Sequence, residues 1–392
     1  MKRLIYTALP VPVAGLFLLI LLMFSGFILS AQSISTERVR PSDESASRLT
    51  RNLFQNLSAM TGKTIMIGHQ DALAYGIGWK GDDDRSDVKA LCGSHPAVVG
   101  WDIGGIEMGM SENLDSVPFE LIRQRIMENY SRGGVNTISW HAFNPVTGAG
   151  SWSDIRIPDP VVPLLLPGGQ HHDKLILSLD RVAAFLSSLK NSSGELIPIV
   201  FRPWHEHTGN WFWWGSIHCS KNEYIELYRF TIQYLRNKHH LNNLLIAFSP
   251  DVGFTSPTEY LDRYPGDDVV DVIGLDDYQS LRTNQPEKLV RNLEIITGIA
   301  RKKYKIAAFT ETGCTNVADH RFFTEKLLPC LLHSDLTSSV SWVLFWRNYK
   351  HDHHFLPYPG HGSAADFVEF INNERIALLR DILDLYTDTA GS

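Results

Sequence analysis

Eight short apolar runs recur along the chain, most of them followed by a loop and a helical pattern. The runs are TIMIGHQ (64–70), AVVGWDIG (97–104), VNTISWHAF (135–143), IPIVFRPWHE (197–206), LLIAFSP (244–250), VVDVIGLDDY (269–278), KIAAFTETG (305–313) and VSWVLFWRN (340–348). Each is nearly unbroken in β-branched and apolar residues, the pattern of parallel strands covered on both faces. Between them, SVPFELIRQRIMENYSRGG opens on Ser116 as a candidate N-cap and ends near Gly133. DKLILSLDRVAAFLSSLK and NEYIELYRFTIQYLRNKH space their apolar residues three and four apart, as amphipathic helices do. Eight strand–helix units within residues 48–392 predict an α/β fold, a single (β/α)8 TIM barrel. An open doubly wound sheet fits less well, because no glycine-rich phosphate loop follows the first strand.

The first thirty-one residues are a different material. Lys2 and Arg3 precede a mostly apolar run from Val11 to Leu29, and small residues follow. That order predicts a secretory signal cleaved at Ala31, so an exported protein, periplasmic or extracellular. The run is long for a signal, and an uncleaved membrane anchor is the alternative. Residues 32–47, QSISTERVRPSDESAS, read as a short polar linker. The net charge of −7 argues against nucleic acid as a partner, since phosphate neutralisation needs a basic surface. A neutral ligand suits the balance better, with no membrane contact unless the N-terminal segment is retained, and a monomer is expected.

In a barrel, the C-terminal strand ends form one mouth where active sites sit. Here the runs end in His69, Asp102, His141, Glu206, Ser249, Tyr278, Glu311 and Trp346. The long Pro- and Gly-rich loop 144–172 follows the third run, and loops of that length tend to be functional. The fourth run leads into RPWHEHTGNWFWWG (202–215), where four of the chain's ten tryptophans surround one carboxylate. Glu206 and Glu311 end the fourth and seventh strands and so face each other across the mouth. Two carboxylates about 5–5.5 Å apart suit retaining glycoside hydrolysis, one as nucleophile and one as acid/base. Their surroundings must differ, because one is ionised while the other is protonated. Arg202 is a cation within reach of Glu311, and the Tyr278 hydroxyl would hold its oxygens in line. The aromatic setting of Glu206 favours its neutral form.

Sugar rings offer flat C–H faces to indoles, so Trp152, Trp211, Trp213, Trp214 and Trp346 are candidates for stacking. Trp204 alternates away from the acid and belongs to packing, and Trp213 and Trp214 cannot both face the groove. His141 and His205 adjoin the mouth as hydrogen-bond partners of hydroxyls or carboxylates. Histidine pairs at 171–172, 239–240 and 353–354 lack the HExxH spacing of a zinc hydrolase, and no metal is expected. Cys92, Cys219, Cys314 and Cys330 could pair in three ways, with no disulfide required.

Taken together, these residues resemble glycoside hydrolase family 26, best known for endo-β-1,4-mannanases. The resemblance runs from IGHQ to VLFWRN and is sharpest in RPWHEHTGNWFWWG and FTETG. It implies a (β/α)8 barrel with Glu206 as acid/base, Glu311 as nucleophile and no cofactor. It further implies that His205 stands beside the acid and Trp211 five positions beyond it. Tyr278 would contact the nucleophile, His141 and Trp152 would serve the glycone side, and Trp346 would floor the central sugar site. The implied partner is β-1,4-mannan or a manno-oligosaccharide, cut with retention. Relatives that cut β-1,3-xylan or mixed-linkage β-glucan, and a non-catalytic glycan-binding protein, are the competing readings. A capture protein would have no use for both carboxylates.

Overall fold

The computed structural model describes residues 39–388 apart from 155, 157 and 158. The expected export segment 1–31, its cleavage point at Ala31, and residues 32–38 of the expected linker lie outside the described residues.

Eight parallel strands follow one another around a closed barrel. They are β1 (Ile65–Gln70), β2 (Val98–Asp102), β3 (Val135–Trp140), β4 (Ile199–Pro203), β5 (Leu244–Phe248), β6 (Val272–Asp277), β7 (Ile306–Thr312) and β8 (Trp342–Phe345). Each pairs with its sequence neighbours, and β8 pairs with β1 to complete the circle. All eight predicted runs are strands, and helices pack outside them as in a (β/α)8 barrel. Closure pairs each of the eight strands on both sides, which fixes the register all the way round.

Strand periodicity sorts the side chains into two apolar clusters. Met66, Val98, Val200, Leu245, Ala247, Val272, Ala308, Trp342 and Leu344 fill the lumen, a cluster that continues onto helix Arg48–Met60. Alternate positions such as Ile67, Val99, Phe201, Ile246, Ile273, Phe309 and Val343 join the larger cluster with the outer helices. Counting in twos along β4 turns Arg202 inward with Val200, and along β6 turns Asp276 inward with Val272. On β7 the same count from Ala308 would turn Glu311 outward. It does not, because the β6–β7 register slips by one residue between Leu275↔Phe309 and Asp276↔Glu311. This bulge at Thr310 re-aims Glu311 into the mouth.

Local chemistry sets the helix boundaries. Helix Lys221–Gln233 begins with a full capping box, Ser220 with Glu223, and winds on as a wider turn through Lys238. Helix Phe119–Ser131 starts behind Pro118, without a side-chain cap. The expectation of Ser116 as N-cap is therefore corrected. Ser116 sits in a tight turn at φ 57°, its N–H bound to the Asn113 carbonyl, and the rigid proline starts the helix instead. Loop 144–172 contains a short helix, Val161–Leu165. All four cysteines are unpaired thiols.

Over its described part, residues 39–47, the stretch expected as a linker is anchored to the barrel. Ala46 is buried, and Ser47 caps helix Arg48–Met60 through the Thr50 N–H. The carboxylate of Asp271, fully buried at the start of β6, accepts the Ser42 N–H at 2.5 Å and the Ile246 N–H at 2.8 Å. Arg236 approaches the same group at 3.5 Å. One acid thus ties the entering segment, β5 and an outer helix together. Replacing Asp271 by Ala leaves the Ser42 N–H and the buried Ile246 N–H without their acceptor and takes one partner from Arg236. The expected loss is about 3 kcal/mol of stability, read as a lower midpoint in urea denaturation; an unchanged midpoint would contradict this anchoring.

Candidate active site

The ends of β3 to β8 surround a cleft of about 340 Å³. His141, Trp152, Glu206, Trp211, Tyr278, Glu311 and Trp346 line it, as seven of the nine residues expected from sequence. The other two, Arg202 and His205, lie beneath the floor and are nearly fully buried.

Glu206 reaches the cleft through strained backbone. Beyond β4, Trp204 and Glu206 both adopt the left-handed region, with φ of 52° and 51°. Such a conformation in a non-glycine residue costs on the order of 1–3 kcal/mol and persists only where its surroundings dictate it. The aromatic crowd supplies those surroundings. Trp214 donates its indole N–H to the His205 carbonyl at 2.8 Å, and Tyr224 donates its hydroxyl to the Trp204 carbonyl at 2.8 Å. Trp204 donates to the Thr231 hydroxyl at 3.1 Å and Trp213 to the Ala142 carbonyl at 2.9 Å. The Glu206 N–H itself binds the Ser249 carbonyl on the neighbouring strand end at 2.9 Å. Trp204, Trp213 and Trp214 are all buried, so the cluster is mostly a brace. Of these four tryptophans only Trp211 faces the cleft, and its Nε1 donates to Glu206 Oε2 at 2.7 Å.

The two glutamates have opposite settings. Burial pushes the Glu206 carboxyl well above the ordinary carboxylate range, and the charges of Glu311, Asp276 and Asp251 add to the push. The Trp211 hydrogen bond works against it. Glu311 is instead held by donors: Arg202 Nη2 to Oε1, and the Tyr278 hydroxyl to Oε2 at 2.9 Å. Arg202 also donates from Nη1 to Asp276 Oδ2 at 2.8 Å. Burial raises Asp276 to about 8 despite that partner. Its geometry agrees with a neutral acid. The single Thr310 hydroxyl lies 2.7 Å from Asp276 Oδ1 and 3.0 Å from the Leu275 carbonyl. A proton on Asp276 satisfies both contacts, passing from Oδ1 to Thr310 while Thr310 donates to Leu275.

A third chain of contacts fixes His141. Its Nδ1 donates to Asp102 Oδ2 at 2.6 Å, and its Nε2 faces His205 Nε2 at 3.2 Å. Burial opposes a charge on His141, but the charge and hydrogen bond of Asp102 outweigh it and raise its affinity for a proton. His205 goes the other way: burial, then the charges of Arg202 and His141, hold it well below the ordinary range. Both His141 nitrogens are engaged within the protein, so it offers the cleft a ring edge. That ring stands 5.9 Å from Trp346 and 5.2 Å from Phe212.

Trp152 projects from the rim, 67% exposed, bridged through its backbone to Phe212 and with its ring 5.2 Å away. Phe355 closes the wall beside Tyr278, its ring centroid 5.8 Å away. Gly313 makes room for it: its φ is 139°, and a Cβ there would meet the Phe355 ring at 2.7 Å. Sequence reasoning missed Asp276, Asp251, Phe355 and the role of Asp102. Counting in twos along VVDVIGLDDY could have found Asp276; the other positions depend on loop paths that periodicity does not encode.

A model of glycosyl hydrolase family 26 matches residues 42–349. A mannan endo-1,4-β-mannosidase of Bifidobacterium adolescentis is 33% identical over 371 residues, covering 88% of this chain. The chain spans only 36% of that relative's length. A mannan endo-1,4-β-mannosidase of Bacillus subtilis is 28% identical, covering 67% of this chain and 72% of its own. Among solved structures, a family 26 β-mannanase of Bacteroides ovatus superposes with a TM-score of 0.83 at 45% identity, over 88% of this chain and 98% of that one. An endo-β-1,4-mannanase double mutant of Cellulomonas fimi superposes with a TM-score of 0.83 at 36% identity, over 90% and 80%. With the family model covering most of the barrel, the chain belongs to glycosyl hydrolase family 26.

Proposed function

We propose that this protein is a retaining, endo-acting β-mannanase that cleaves β-1,4-mannosidic bonds by double displacement. The observation that carries the reading is the pairing of unlike glutamates on one cleft, Glu206 kept neutral by burial and Glu311 gripped by two donors. The mannanase names of relatives that share most of this barrel support the choice of mannan.

The chemistry follows from the placement. The proton on Glu206 passes to the glycosidic oxygen while Glu311 attacks the anomeric carbon, and the bond to the leaving sugar breaks. The covalent glycosyl–enzyme then meets a water whose proton returns to Glu206, and hydrolysis releases a sugar of unchanged anomeric configuration. Arg202 and Tyr278 orient the Glu311 oxygens, so attack needs no rearrangement of the carboxylate. Trp152, Trp211 and Trp346 supply faces for sugar rings. The N-terminal segment 1–31 supports export to the periplasm or beyond, followed by a barrel domain over 48–392.

Replacing Glu311 by Ala is expected to lower turnover of unbranched mannan by on the order of 10⁴-fold without unfolding the protein. Equal activity in parent and mutant, in a reducing-sugar assay, would end the assignment. Glu206→Ala is expected to cut mannan hydrolysis by about 10²–10⁴-fold yet still form the intermediate from substrates with good leaving groups, with azide restoring turnover. Equal loss of both half-reactions would contradict the acid/base role. The pH profile carries a signed expectation. Activity needs the Glu206 proton, so it falls as pH rises through that group's raised pKa. Trp211→Phe removes a donor that favours the charged form, so the basic limb of kcat/KM is expected to move to higher pH as kcat falls. A basic limb that moves down would contradict the contact.

A further inference from the structure

The cleft contains a further acid with no part in the steps above. Asp251 lines it from the loop after β5, next to Glu206 in the order of strand ends and on the side away from His141. It is only partly exposed. Its Oδ1 accepts the hydroxyl of Thr208, two residues beyond Glu206. The Gly209 N–H, which closes the same turn by binding the Glu206 carbonyl at 3.0 Å, also supports the Asp251 carboxylate. The turn that leaves the strained Glu206 is thus fastened at one end to the Ser249 carbonyl and at the other to Asp251, both from the β5 end.

We propose that Asp251 is a positioning residue for the acid/base: its carboxylate fastens the turn behind Glu206 and places a fixed negative charge on that side of it. The proposal rests on the reading of Glu206 as acid/base. Glu311 on β7 repels a charge on Glu206 as Asp251 does, Asp276 on β6 does so only when it has lost its proton, and the Arg202 cation on β4 attracts one. Arg202 is already bound to Glu311 and Asp276, which leaves Asp251 unneutralised by it. Asp277 is the charged neighbour that faces Asp251. Burial pushes Asp251 up to about 6, so it is ionised at and above neutral pH. At lower pH Asp251 takes up a proton and its effect fades.

Two substitutions separate the roles. Asp251→Asn keeps an oxygen for Thr208 and removes the charge, whereas Thr208→Val removes the fastening and keeps the charge. The titration of Glu206 is followed by ¹³C-carboxyl NMR, its signal assigned with Glu206→Gln, beside the pH profile of kcat/KM on mannan. In Asp251→Asn, Glu206 is expected to titrate on the order of one pH unit lower, with the basic limb moving equally and the acid limb staying in place. In Thr208→Val, kcat is expected to fall several-fold with the basic limb unmoved. Asp251→Ser gives the same charge comparison if the amide disturbs folding. A Glu206 titration identical in parent and charge-removed proteins overturns the proposal. A lowered titration in a protein that never cleaves mannan would instead sustain the charge effect and overturn the two-glutamate reading.

Discussion

A single guanidinium, that of Arg202, holds two buried acids at one barrel mouth beside a third that lines the cleft. It contacts Glu311 and Asp276 directly and lies near Glu206, with almost no solvent access. Buried charges must be matched or neutralised, because an isolated one costs several kcal/mol. One cation cannot match three anions, so protons make up the difference. They settle on Glu206, which desolvation and its like-charged neighbours hold well above the ordinary range, and on Asp276, which has a hydroxyl to donate to. Glu311 is the acid that both Arg202 and Tyr278 grip. The unlike settings of the two glutamates therefore follow from charge balance around one arginine.

The backbone is arranged to the same end. A bulge on β7 and a left-handed kink after β4 each break the regular strand, and each turns a glutamate inward. The kink is held by indole and phenol donors that satisfy its carbonyls, which explains why so many rings surround one acid. Most of them never meet a ligand. They stabilise a conformation that the chain would otherwise leave, and they keep water from the far side of the turn. The cleft-facing aromatics, Trp152, Trp211 and Trp346, are separate in role although they adjoin this brace.

Much of this was legible in the sequence because a closed parallel barrel covers each strand on both sides. That covering leaves unbroken apolar runs, and all eight were found at or near their observed bounds. The residues at their ends were legible for the same reason, since polar groups such as Glu311 and Tyr278 stand out where a buried strand stops. What stayed hidden was conformational. Nothing in FTETG announces the extra residue that re-aims Glu311, and nothing in RPWHEH announces φ above zero at Trp204 and Glu206. Ser116 has the chemistry of a cap but sits in a turn set by Asn113 and Pro118, two residues too early. Arg202 meets Glu311 as expected, but it and His205 lie below the floor, a depth that their proximity in sequence to the acid does not encode. Asp251 gave no signal because its partner, Thr208, comes from a different strand end.

The claim that Glu311 alone forms the covalent bond is tested most directly by trapping. The protein is incubated with a 2-deoxy-2-fluoro-mannosyl fluoride, whose slowed second step lets the glycosyl–enzyme accumulate, then digested and sequenced by mass spectrometry. The mass of one fluorosugar on the FTETG peptide, assigned to Glu311, is the expected result. A label on Glu206 or Asp276, or full turnover with no labelled peptide at all, would contradict it.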